Sequence, residues 1–380
     1  MKILHLMLSC FYIDNAHYQE NILPKLHKDQ GHDVLIIAST DVFVKNNILG
    51  STTPGTYLNE NNIPVIRVPY AQFLHPFLEK KIRKYIGVYK LIEDFKPDII
   101  LFHGGAAYEI KTVARYKKKN PNVKMFIDSH EDLLNSAQNF LSKHVLHRLF
   151  YKPILLRNLK YFEEVLYISK DTHYFLNHFY NIPETKLKFF PLGGIIPDRE
   201  TKLKTATKIR KELSIEDNQL LCLHTGKLDK LKRTEEILEG FHQSSSDLYK
   251  LVIIGSIDDD FKPILDQYLE KDSRIVFLGW KKAIELQDYL MACDLYLQLG
   301  SQSATMQLAV CSGAVTAVYP HESYKFLMKT ACFYINSAND ITKLLNSINE
   351  DPAILEEKRV ASRKVAEETL DYDKIAKMIL

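Results

Sequence analysis

The 380-residue sequence has one tryptophan, five cysteines and almost no net charge. Its cysteines form neither a CxxC pair nor a zinc-ligand pattern; they are Cys10, Cys222, Cys293, Cys311 and Cys332. This spacing argues against a disulfide framework and predicts buried free thiols in a reducing compartment. The formal net charge of +3 is too small to favour nucleic-acid binding.

Long apolar runs are also absent. No run approaches the roughly 20 residues that a membrane-spanning helix requires. The apolar start, MKILHLMLSCFYID, has no small-residue cleavage site and fits a first buried strand better than a signal peptide. We therefore expect a cytoplasmic protein, with room for contact with the inner face of a membrane. A chain of 380 residues is expected to form two domains.

Short apolar segments alternate with amphipathic ones in the first half of the chain. The predicted strands are Lys2–Leu8, Val34–Ala38, Val65–Val68, Ile99–Phe102, Lys124–Ile127, Glu164–Ile168 and Leu187–Phe190. The predicted helices are Tyr18–Asp29, Leu78–Phe95, Tyr108–Lys119, Leu141–Phe162 and Asp171–Phe179. Such alternation favours a parallel sheet with helices on both faces.

The same alternation restarts after a polar, lysine-rich segment, Pro197–Lys211, which we interpret as a linker. The later strands are predicted at Leu220–His224, Leu251–Ile254, Ile275–Leu278, Leu295–Leu299 and Ala314–Val318. Helices are predicted at Glu235–Gln243, Phe261–Glu270, Ala283–Met291 and Thr305–Cys311, and the tail Ala353–Leu380 as mostly helical. The sequence therefore predicts two Rossmann-like domains that face a central cleft.

The segment Leu221–Phe241 has the clearest functional pattern. An apolar strand ends near Gly226, Lys227 and Lys232 follow, and a helical pattern then begins. A helix start offers free N–H groups and partial positive charge, to which the lysines add full charges. The pattern predicts a diphosphate site, with Arg233 as a further cation.

This segment resembles the phosphate loop of GT-B glycosyltransferases, family 4, in which a Gly-Lys/Arg pair precedes a second lysine. Lys232, six residues past Gly226, matches that spacing. Weaker resemblances follow in family order at His32–Val34, Ile168–Lys170, Phe190–Gly194, Val276–Gly279 and Ala292–Leu297. Together they cover nearly the whole chain.

The resemblance implies a GT-B fold with an acceptor domain at 1–196, a nucleotide-sugar domain at 212–365, and a last helix at 366–380 that crosses back to the first domain. It implies transfer of a sugar, with retention, from a nucleotide diphosphate sugar to a glycan or polyprenyl-linked acceptor in bacterial surface polysaccharide synthesis. Gly279 would lie near the donor base. Fixed cations would stabilise the leaving diphosphate electrostatically, so no metal or cofactor is expected.

The sequence departs from the family in the donor loop. The family has two glutamates eight residues apart, whereas the matching positions hold Gly300 and Leu308. Gln307 stands one residue from the second of them and has a neutral amide. The sequence predicts that Ser301, Ser303 and Thr305 bind the phosphates through hydroxyl and backbone N–H groups at a helix start; these three and Gln307 are our donor-loop candidates.

Polar residues that follow first-domain strands are predicted to line the cleft. His130 stands where the family has a histidine near the transferred sugar, and we expect it to donate a hydrogen bond to that sugar. Glu131 beside it and His103 are acceptor-site candidates. So are four residues of the first loop, by the same resemblance: Asn15, His17, Gln19 and Glu20.

Two segments mix basic and apolar residues, Phe77–Lys90 and Lys143–Lys160, which is typical of helices that lie on anionic membranes and also of ordinary core-facing helices. The sequence leaves two alternatives to a transferase. One is a GT-B nucleotide-sugar epimerase. The other is a catalytically degenerate partner or scaffold subunit, which the missing glutamates would suit.

Overall fold

The computed structural model describes residues 1–45, 48–72, 76–133 and 135–380. The chain divides into two compact units: unit 1 comprises Met1–Pro191 and Ile375–Leu380, and unit 2 comprises Leu192–Lys374. The segment that returns to unit 1 is therefore shorter than the predicted 366–380. Each unit contains its own sheet and its own apolar core.

Unit 1 is built on an eight-stranded sheet with the strand order β10-β9-β8-β7-β1-β2-β6-β5. Its strands are β1 (Lys2–Met7), β2 (Asp33–Ser39), β5 (Gly55–Leu58), β6 (Pro64–Val68), β7 (Ile99–His103), β8 (Lys124–Ser129), β9 (Glu164–Tyr167) and β10 (Leu187–Phe189), with β3 (Asp41–Lys45) and β4 (Ile48–Ser51) in a separate antiparallel pair. Every pair in the main sheet is parallel except β5–β6.

The helices of unit 1 connect these strands. They are α1 (Gln19–Asp29), α2 (Pro76–Ile82), α3 (Val88–Phe95), α4 (Ile110–Lys119), α5 (Lys152–Asn158) and α6 (Lys170–Tyr174). Two π-helical segments adjoin them at Leu141–Tyr151 and Phe175–Phe179, and short 3₁₀ turns lie at Leu159–Tyr161 and Glu184–Lys186. Strands β1, β7 and β8 are almost wholly buried because helices cover both faces of the sheet.

Unit 2 repeats the design with six parallel strands in the order β13-β12-β11-β14-β15-β16. The strands are β11 (Leu220–Leu228), β12 (Tyr249–Ile257), β13 (Ile275–Phe277), β14 (Leu295–Gln298), β15 (Val315–Val318) and β16 (Phe333–Tyr334). The helices are α7 (Arg199–Glu212), α8 (Thr234–Gln243), α9 (Lys262–Lys271), α10 (Ala283–Ala292), α11 (Ala304–Cys311), α12 (Glu322–Met328), α13 (Ala338–Glu350) and α14 (Ala353–Val365), followed by a π-helical turn at Ala366–Leu370. The last helix, α15 (Tyr372–Lys377), spans the division between the units.

The predicted linker Pro197–Lys211 was wrong, because helix α7 occupies nearly all of it. Asp198 caps this helix by accepting from the backbone N–H of Thr201 at 2.9 Å. The lysine-rich composition that suggested a loop consists of good helix formers, and Ile209 buries the helix against the unit 2 core.

Two further predictions differ from the structure. The single helix predicted at Leu78–Phe95 is interrupted between Ile82 and Val88, where Gly87 has a φ of +81°. The strand predicted to end before Gly226 continues to Leu228 and pairs with β12 throughout. There Gly226 faces Gly255, and a Cβ on Gly255 would lie 1.7 Å from the Gly226 carbonyl oxygen. Two facing glycines therefore let the polar end of the strand stay in the sheet.

The cysteines agree with the prediction of free thiols. All five are unpaired; Cys10 is half-buried and the other four are buried. None of the helices in the described part of the chain is long and apolar enough to cross a membrane.

Candidate functional site

In unit 2 the side chain of Lys232 lies against Gly226. A Cβ on Gly226 would stand 3.0 Å from Lys232 Cε, and the φ of this glycine is +139°. Both facts favour glycine at this position. Beyond it, the Lys232 ammonium donates to the Ser301 carbonyl oxygen at 3.1 Å. We call this arrangement the lysine groove: Gly226, Lys232, Gly300 and Ser301.

The turn that carries Lys232 is fixed from two sides. Asp229 Oδ1 accepts from the backbone N–H groups of Leu231 and Lys232 at 2.9 and 3.2 Å. From the other side, Ser301 N donates to the Leu231 carbonyl oxygen at 2.8 Å. A Cβ on Gly300 would lie 2.1 Å from that same oxygen, so only glycine permits this approach. The loop after β14 is thus fastened to the loop after β11.

Burial affects the ionisation of Lys232 in the lysine groove. It lowers the pKa of Lys232 below its usual value, and the nearby Asp229 carboxylate only partly offsets this. A partly buried ammonium gains more from an anionic ligand than an exposed one does, since water screens it less. The groove therefore has the chemistry of a phosphate site.

The other two predicted cations point to different partners. Lys227 is 63% exposed, and its Nζ lies 3.5 Å from Asp258 Oδ1. Arg233 donates to both carboxylate oxygens of Glu236, at 2.5 and 2.6 Å, and to the Asn336 carbonyl oxygen at 2.9 Å. Arg233 also donates to the Leu299 carbonyl oxygen at 3.5 Å, at the start of the loop after β14. Lys232 contacts Ser301 in that loop through a half-buried ammonium.

Lys227 and Arg233 line a pocket of about 480 Å³ in unit 2. Three cations and five carboxylates line it: Lys227, Lys230 and Arg233 against Asp229, Glu235, Glu236, Asp258 and Asp260. The excess of carboxylates makes this pocket a poor match for a diphosphate. The lysine groove is the better anion site in unit 2.

The predicted donor-loop side chains are partly engaged within the protein. Ser303 caps α11: its Oγ accepts from Thr305 N at 3.2 Å and donates to Thr305 Oγ1 at 3.1 Å. The Gln307 amide, with its nitrogen turned toward the helix start, donates to the Ser303 carbonyl oxygen at 3.0 Å and to that of Ala304 at 3.2 Å. These contacts shape the loop.

Sequence reasoning missed two residues that support this loop. Tyr324 Oη accepts from Ser303 N at 2.8 Å and from Gln298 Nε2 at 3.0 Å. His321 Nε2 lies 3.0 Å from the Gly300 carbonyl oxygen. Both residues follow β15, about twenty residues beyond the loop, and no short motif indicates them.

Trp280 was also missed. Gly279 has a φ of +67° and open space where a Cβ would stand, and the indole that follows it is 61% exposed. Both residues lie just beyond the carboxyl end of β13. Since this is the only tryptophan of the chain, its exposure beside a candidate base-binding glycine was the available signal.

In unit 1, polar groups gather where the neighbouring strands β1, β7 and β8 end. Gly104 has a φ of +91°, and a Cβ there would lie 2.7 Å from Ser9 Cβ. Gly105 N donates to Glu131 Oε1 at 2.9 Å, and Ser129 Oγ donates to Glu131 Oε2. Glu131 therefore holds two strand ends together.

Arg83 is a half-buried cation at this edge that the sequence analysis missed. Its Nη1 donates to Ser9 O at 2.8 Å, to Ser9 Oγ at 3.0 Å and to Ala106 O at 3.0 Å. The guanidinium thus ties the loops after β1 and β7 to the end of α2, and it has no short-range sequence signature.

His130 lies at the same edge with its side chain 31% exposed. Its Nδ1 is 3.9 Å from Glu20 Oε1, and its Nε2 is buried without a hydrogen-bond partner among the residues that the structure describes. Burial lowers the pKa of His130, but the carboxylates of Glu20, Asp128 and Glu131 outweigh it and raise that pKa above its usual value. When His130 is protonated, its Nε2–H can donate a hydrogen bond to a ligand.

The first loop divides into two kinds of residue. Asn15, with a φ of +59°, and His17 are exposed. Gln19 is buried and donates to the Pro191 carbonyl oxygen at 3.3 Å, whereas Glu20 faces His130. The structure therefore brings Glu20 and His130 together.

His103 is completely buried, and its Nδ1 lies 2.6 Å from Asp128 Oδ2. It is not exposed to an acceptor. No group of three or more histidine, cysteine, aspartate or glutamate side chains suited to a metal ion occurs within the described ranges of the chain.

Comparison with known proteins yields no match to a family model and none to a curated protein. Solved structures do match. HepE of Anabaena in complex with UDP has a TM-score of 0.68 at 14% identity, covering 100% of this chain and 98% of that one. Sucrose-phosphate synthase of Thermosynechococcus elongatus gives 0.67 at 14%, covering 99% and 96%. WaaG, a glycosyltransferase involved in lipopolysaccharide biosynthesis, gives 0.62 at 14%, covering 99% of each chain.

The chain has the GT-B fold. The predicted fold class is thereby confirmed, with one Rossmann-like sheet in each unit. Within that fold the lysine groove lies at the carboxyl ends of β11 and β14, and His130 follows the carboxyl end of β8. These are the strand ends at which open α/β sheets bind ligands. At 14% identity the likeness establishes the fold, and the reaction has to be argued from the residues.

Proposed function

We propose that this protein is a glycosyltransferase that moves a sugar from a nucleotide diphosphate sugar to a glycan or lipid-linked acceptor. The observation that carries the proposal is the lysine groove, where the half-buried Lys232 ammonium is held against Gly226 by the Ser301 carbonyl. A diphosphate there would gain one direct ion pair in a partly screened setting.

The matched structures support a nucleotide-sugar donor. HepE was crystallised with UDP and with UDP-glucose, and another matched structure is described as trehalose-6-phosphate from E. coli bound with UDP-2-fluoro glucose. For this chain we propose the same class of donor. Gly279 and the exposed Trp280 at the end of β13 offer an indole face on which a base can stack.

The chemistry follows from where charge develops. When the bond from sugar to diphosphate breaks, negative charge grows on the leaving group and positive charge on the sugar ring. Lys232 would stabilise the departing diphosphate by a fixed positive charge, without any step of proton transfer. His130, whose pKa its carboxylate neighbours raise, would donate from Nε2 to a sugar hydroxyl or to a phosphate oxygen. We propose retention of the anomeric configuration, in line with the family resemblance.

A lipid-linked acceptor is supported by one surface of unit 1. Four apolar side chains of and beside the π-helical segment are exposed: Phe140, Leu141, Val145 and Leu149. Arg148 on the same segment is also exposed, and Lys143 is half-buried. Exposed apolar residues flanked by cations suit the interface of an anionic membrane. We therefore propose contact with the inner face of the membrane and a role in surface polysaccharide synthesis.

A non-catalytic partner is the second candidate, and the donor loop favours it. Gly300 and Leu308 replace the expected glutamates, and Gln307 bonds to its own helix. Against it, a scaffold would have no need for a lysine lodged against a glycine of positive φ.

A thermal-shift titration with UDP, GDP, CMP and dTDP separates the two. A ligand that binds only the native state raises the unfolding midpoint, and a ligand at 100 times its Kd adds about 2.7 kcal/mol. We expect one diphosphate to stabilise the wild type and to lose its effect in Lys232→Ala. The matched control, Lys227→Ala, should respond like the wild type. No shift with any nucleotide at millimolar concentration would refute the donor site and favour the partner role.

A further inference from the structure

A small cavity lies at the amino edge of the unit 2 sheet. Its volume is about 280 Å³, and it is lined by the first turn of α7, the last turn of α11 and helix α14. Helix α11 begins after the carboxyl end of β14 and ends before the amino end of β15, so its last turn lies at the opposite edge from the lysine groove. We call this cavity, with Arg199, Lys202, Gly313, Arg359 and Arg363 in its lining, the rear cavity.

Lys202 is a half-buried cation of the rear cavity. A Cβ on Gly313 would stand 2.2 Å from Lys202 Nζ, and the φ of this glycine is +86°, so both facts favour glycine there. The ammonium donates to the Gly313 carbonyl oxygen at 3.3 Å, which uses one of its three N–H groups. Lys202 therefore repeats the arrangement of the lysine groove, where Lys232 lies against Gly226.

The charges that line the rear cavity do not balance. Four cations and two carboxylates line it: Arg199, Lys202, Arg359 and Arg363 against Glu356 and Glu367. Arg363 Nε donates to Glu367 Oε1 at 2.7 Å. Arg359 Nε lies 3.2 Å from Glu356 Oε2 without forming a hydrogen bond. Arg199 and Lys202 form no ion pair with any residue that the structure describes. The lining therefore has two positive charges in excess.

The arginines also act on Lys202. Burial lowers the pKa of Lys202 below its usual value, and the positive charges of Arg359 and Arg363 lower it further. The Asp294 carboxylate opposes this effect, but it already accepts from Arg210 Nη1 at 3.1 Å. Like charges in a partly buried site repel each other, so an anion that neutralises them would be stabilised there.

The last turn of α11 explains part of this arrangement. A helix C-terminus has partial negative charge, so a cation such as Lys202 is stabilised there without a ligand. The same reason does not apply to Arg359 and Arg363. These two are four residues apart on α14, where like charges destabilise a helix. A bound anion would offset that repulsion.

We propose that the rear cavity binds a small phosphate-type anion, either inorganic phosphate or the phosphate group of a sugar phosphate. Lys202 would bind a phosphate oxygen as a point charge, and Arg363 would present a guanidinium fork that matches phosphate geometry. The rear cavity has the volume of roughly nine water molecules, at about 30 Å³ each. Pockets for drug-sized ligands begin at roughly 300 Å³, so the cavity suits a phosphate with a small attached group rather than a nucleotide sugar.

The uncharged part of such a ligand would contact apolar side chains. Val310 is buried and Val360 is 65% exposed, and both line the rear cavity with Ile196. A sugar ring attached to the phosphate would pack on them. This binding is independent of the proposed sugar transfer, because the rear cavity and the lysine groove share no residue.

The test is isothermal titration calorimetry of the full-length Lys232→Ala protein with inorganic phosphate and with glucose 6-phosphate, at constant ionic strength. This variant lacks the ammonium of the lysine groove, so a phosphate that still binds saturably, one per chain, occupies another site. We expect such binding. A clear preference for glucose 6-phosphate identifies a sugar phosphate as the ligand class, and equal affinities identify the phosphate group alone. No saturable binding of either ligand would overturn the proposal, whatever UDP does in the wild type.

Substitutions in the same Lys232→Ala background locate that binding. Lys202→Met removes the charge and keeps a long side chain, and we expect the affinity to fall about tenfold or more. Arg363→Gln changes an exposed residue, should have a similar effect, and replaces the first variant if that one fails to fold. The matched controls Lys204→Met and Lys364→Gln change exposed cations of the same two helices outside the lining and should bind normally. Full affinity in both test variants, or equal losses in the controls, would refute the site.

The ionisation of Lys202 is a second readout, specific to its position. An anion beside an ammonium stabilises the charged form, so phosphate should raise the pKa of Lys202, which burial lowers in the free protein. NMR of protein with ¹³C-methylated lysines follows each ammonium, and the signal that is missing in Lys202→Met assigns Lys202. We expect its titration midpoint to rise with saturating phosphate while that of Lys204 stays constant. An unchanged midpoint for Lys202 would contradict the proposal.

Discussion

The two units build similar sheets but place candidate site residues of different charge chemistry at their strand ends. In unit 1 the edge carries Glu20, Asp128 and Glu131 around a histidine whose pKa they raise. In unit 2 the edge carries Lys232, whose pKa burial lowers and whose ammonium is held by a carbonyl oxygen. The difference lies in the loops, which shows that a fold can be kept while the chemistry at its strand ends is changed. It also supports the proposal that the anionic ligand binds to unit 2.

The largest effect is expected from a substitution of His130, which lies among the carboxylates of unit 1. His130→Gln removes a charged donor, and hydrogen bonds to charged groups contribute about 1.5–3 kcal/mol, so we expect a loss of roughly 10- to 100-fold in kcat/KM. Because the pKa of His130 is raised, the stability and donor capacity that its charge brings are complete below about pH 6.5 and lost as pH rises through the folded value. The wild-type pH profile should fall on its alkaline side.

The variant itself is the control for that profile. Glutamine keeps an N–H donor but does not titrate, so His130→Gln should flatten the alkaline limb that His130 causes. If the alkaline side of the pH profile is unchanged in His130→Gln, another group governs the pH dependence and His130 has no part in turnover.

A smaller effect is expected when the shape of the lysine groove is changed. Gly226→Ala places a Cβ 3.0 Å from Lys232 Cε at a φ of +139°. Backbone strain of this kind destabilises by roughly 1–3 kcal/mol, and we expect affinity for a diphosphate to drop about tenfold as Lys232 moves. Calorimetry and thermal melts check the two effects. Gly55→Ala, where a Cβ has open space, should change neither; a Gly226→Ala protein that binds as tightly as the wild type would show that the groove is unnecessary.

The smallest effect is expected from Tyr324, and it distinguishes support of the loop after β14 from a contribution to overall stability. Tyr324→Phe leaves Ser303 N without its partner and should destabilise by about 1–3 kcal/mol, with a few-fold loss of diphosphate affinity. Tyr249→Phe removes a comparable buried hydrogen bond, to the Leu345 carbonyl oxygen, away from the loop. It should lower the melting temperature without weakening binding. If both variants bind alike, Tyr324 acts on stability alone.

Local patterns predicted most of the fold. Strands such as β1, β7 and β8 were predicted within one or two residues of their observed ends because buried parallel strands are continuous apolar runs. Prediction from local patterns failed for polar segments, which can form loops, helices or strand ends. Helix α7 was taken for a linker, and the polar end of β11 was taken for a turn.

The candidate sites were predicted less completely. Lys232 and His130 were predicted as site residues because spacing and a preceding strand indicate them, and they remain predictions. Arg83, His321 and Tyr324 were missed because their contacts join residues 21 or more positions apart in the sequence. Neither periodicity nor motif spacing records such contacts, since both describe neighbours along the chain.

The most direct test of the account is titration calorimetry with UDP and with uridine, or with the matching pair if another base stabilises the protein. The two ligands differ only by the diphosphate, so their difference in affinity measures its contribution. We predict that the wild type and Lys227→Ala bind UDP much more tightly than uridine, and that Lys232→Ala binds the two almost equally. A Lys232→Ala protein that retains the full preference for UDP would contradict the lysine groove as the diphosphate site.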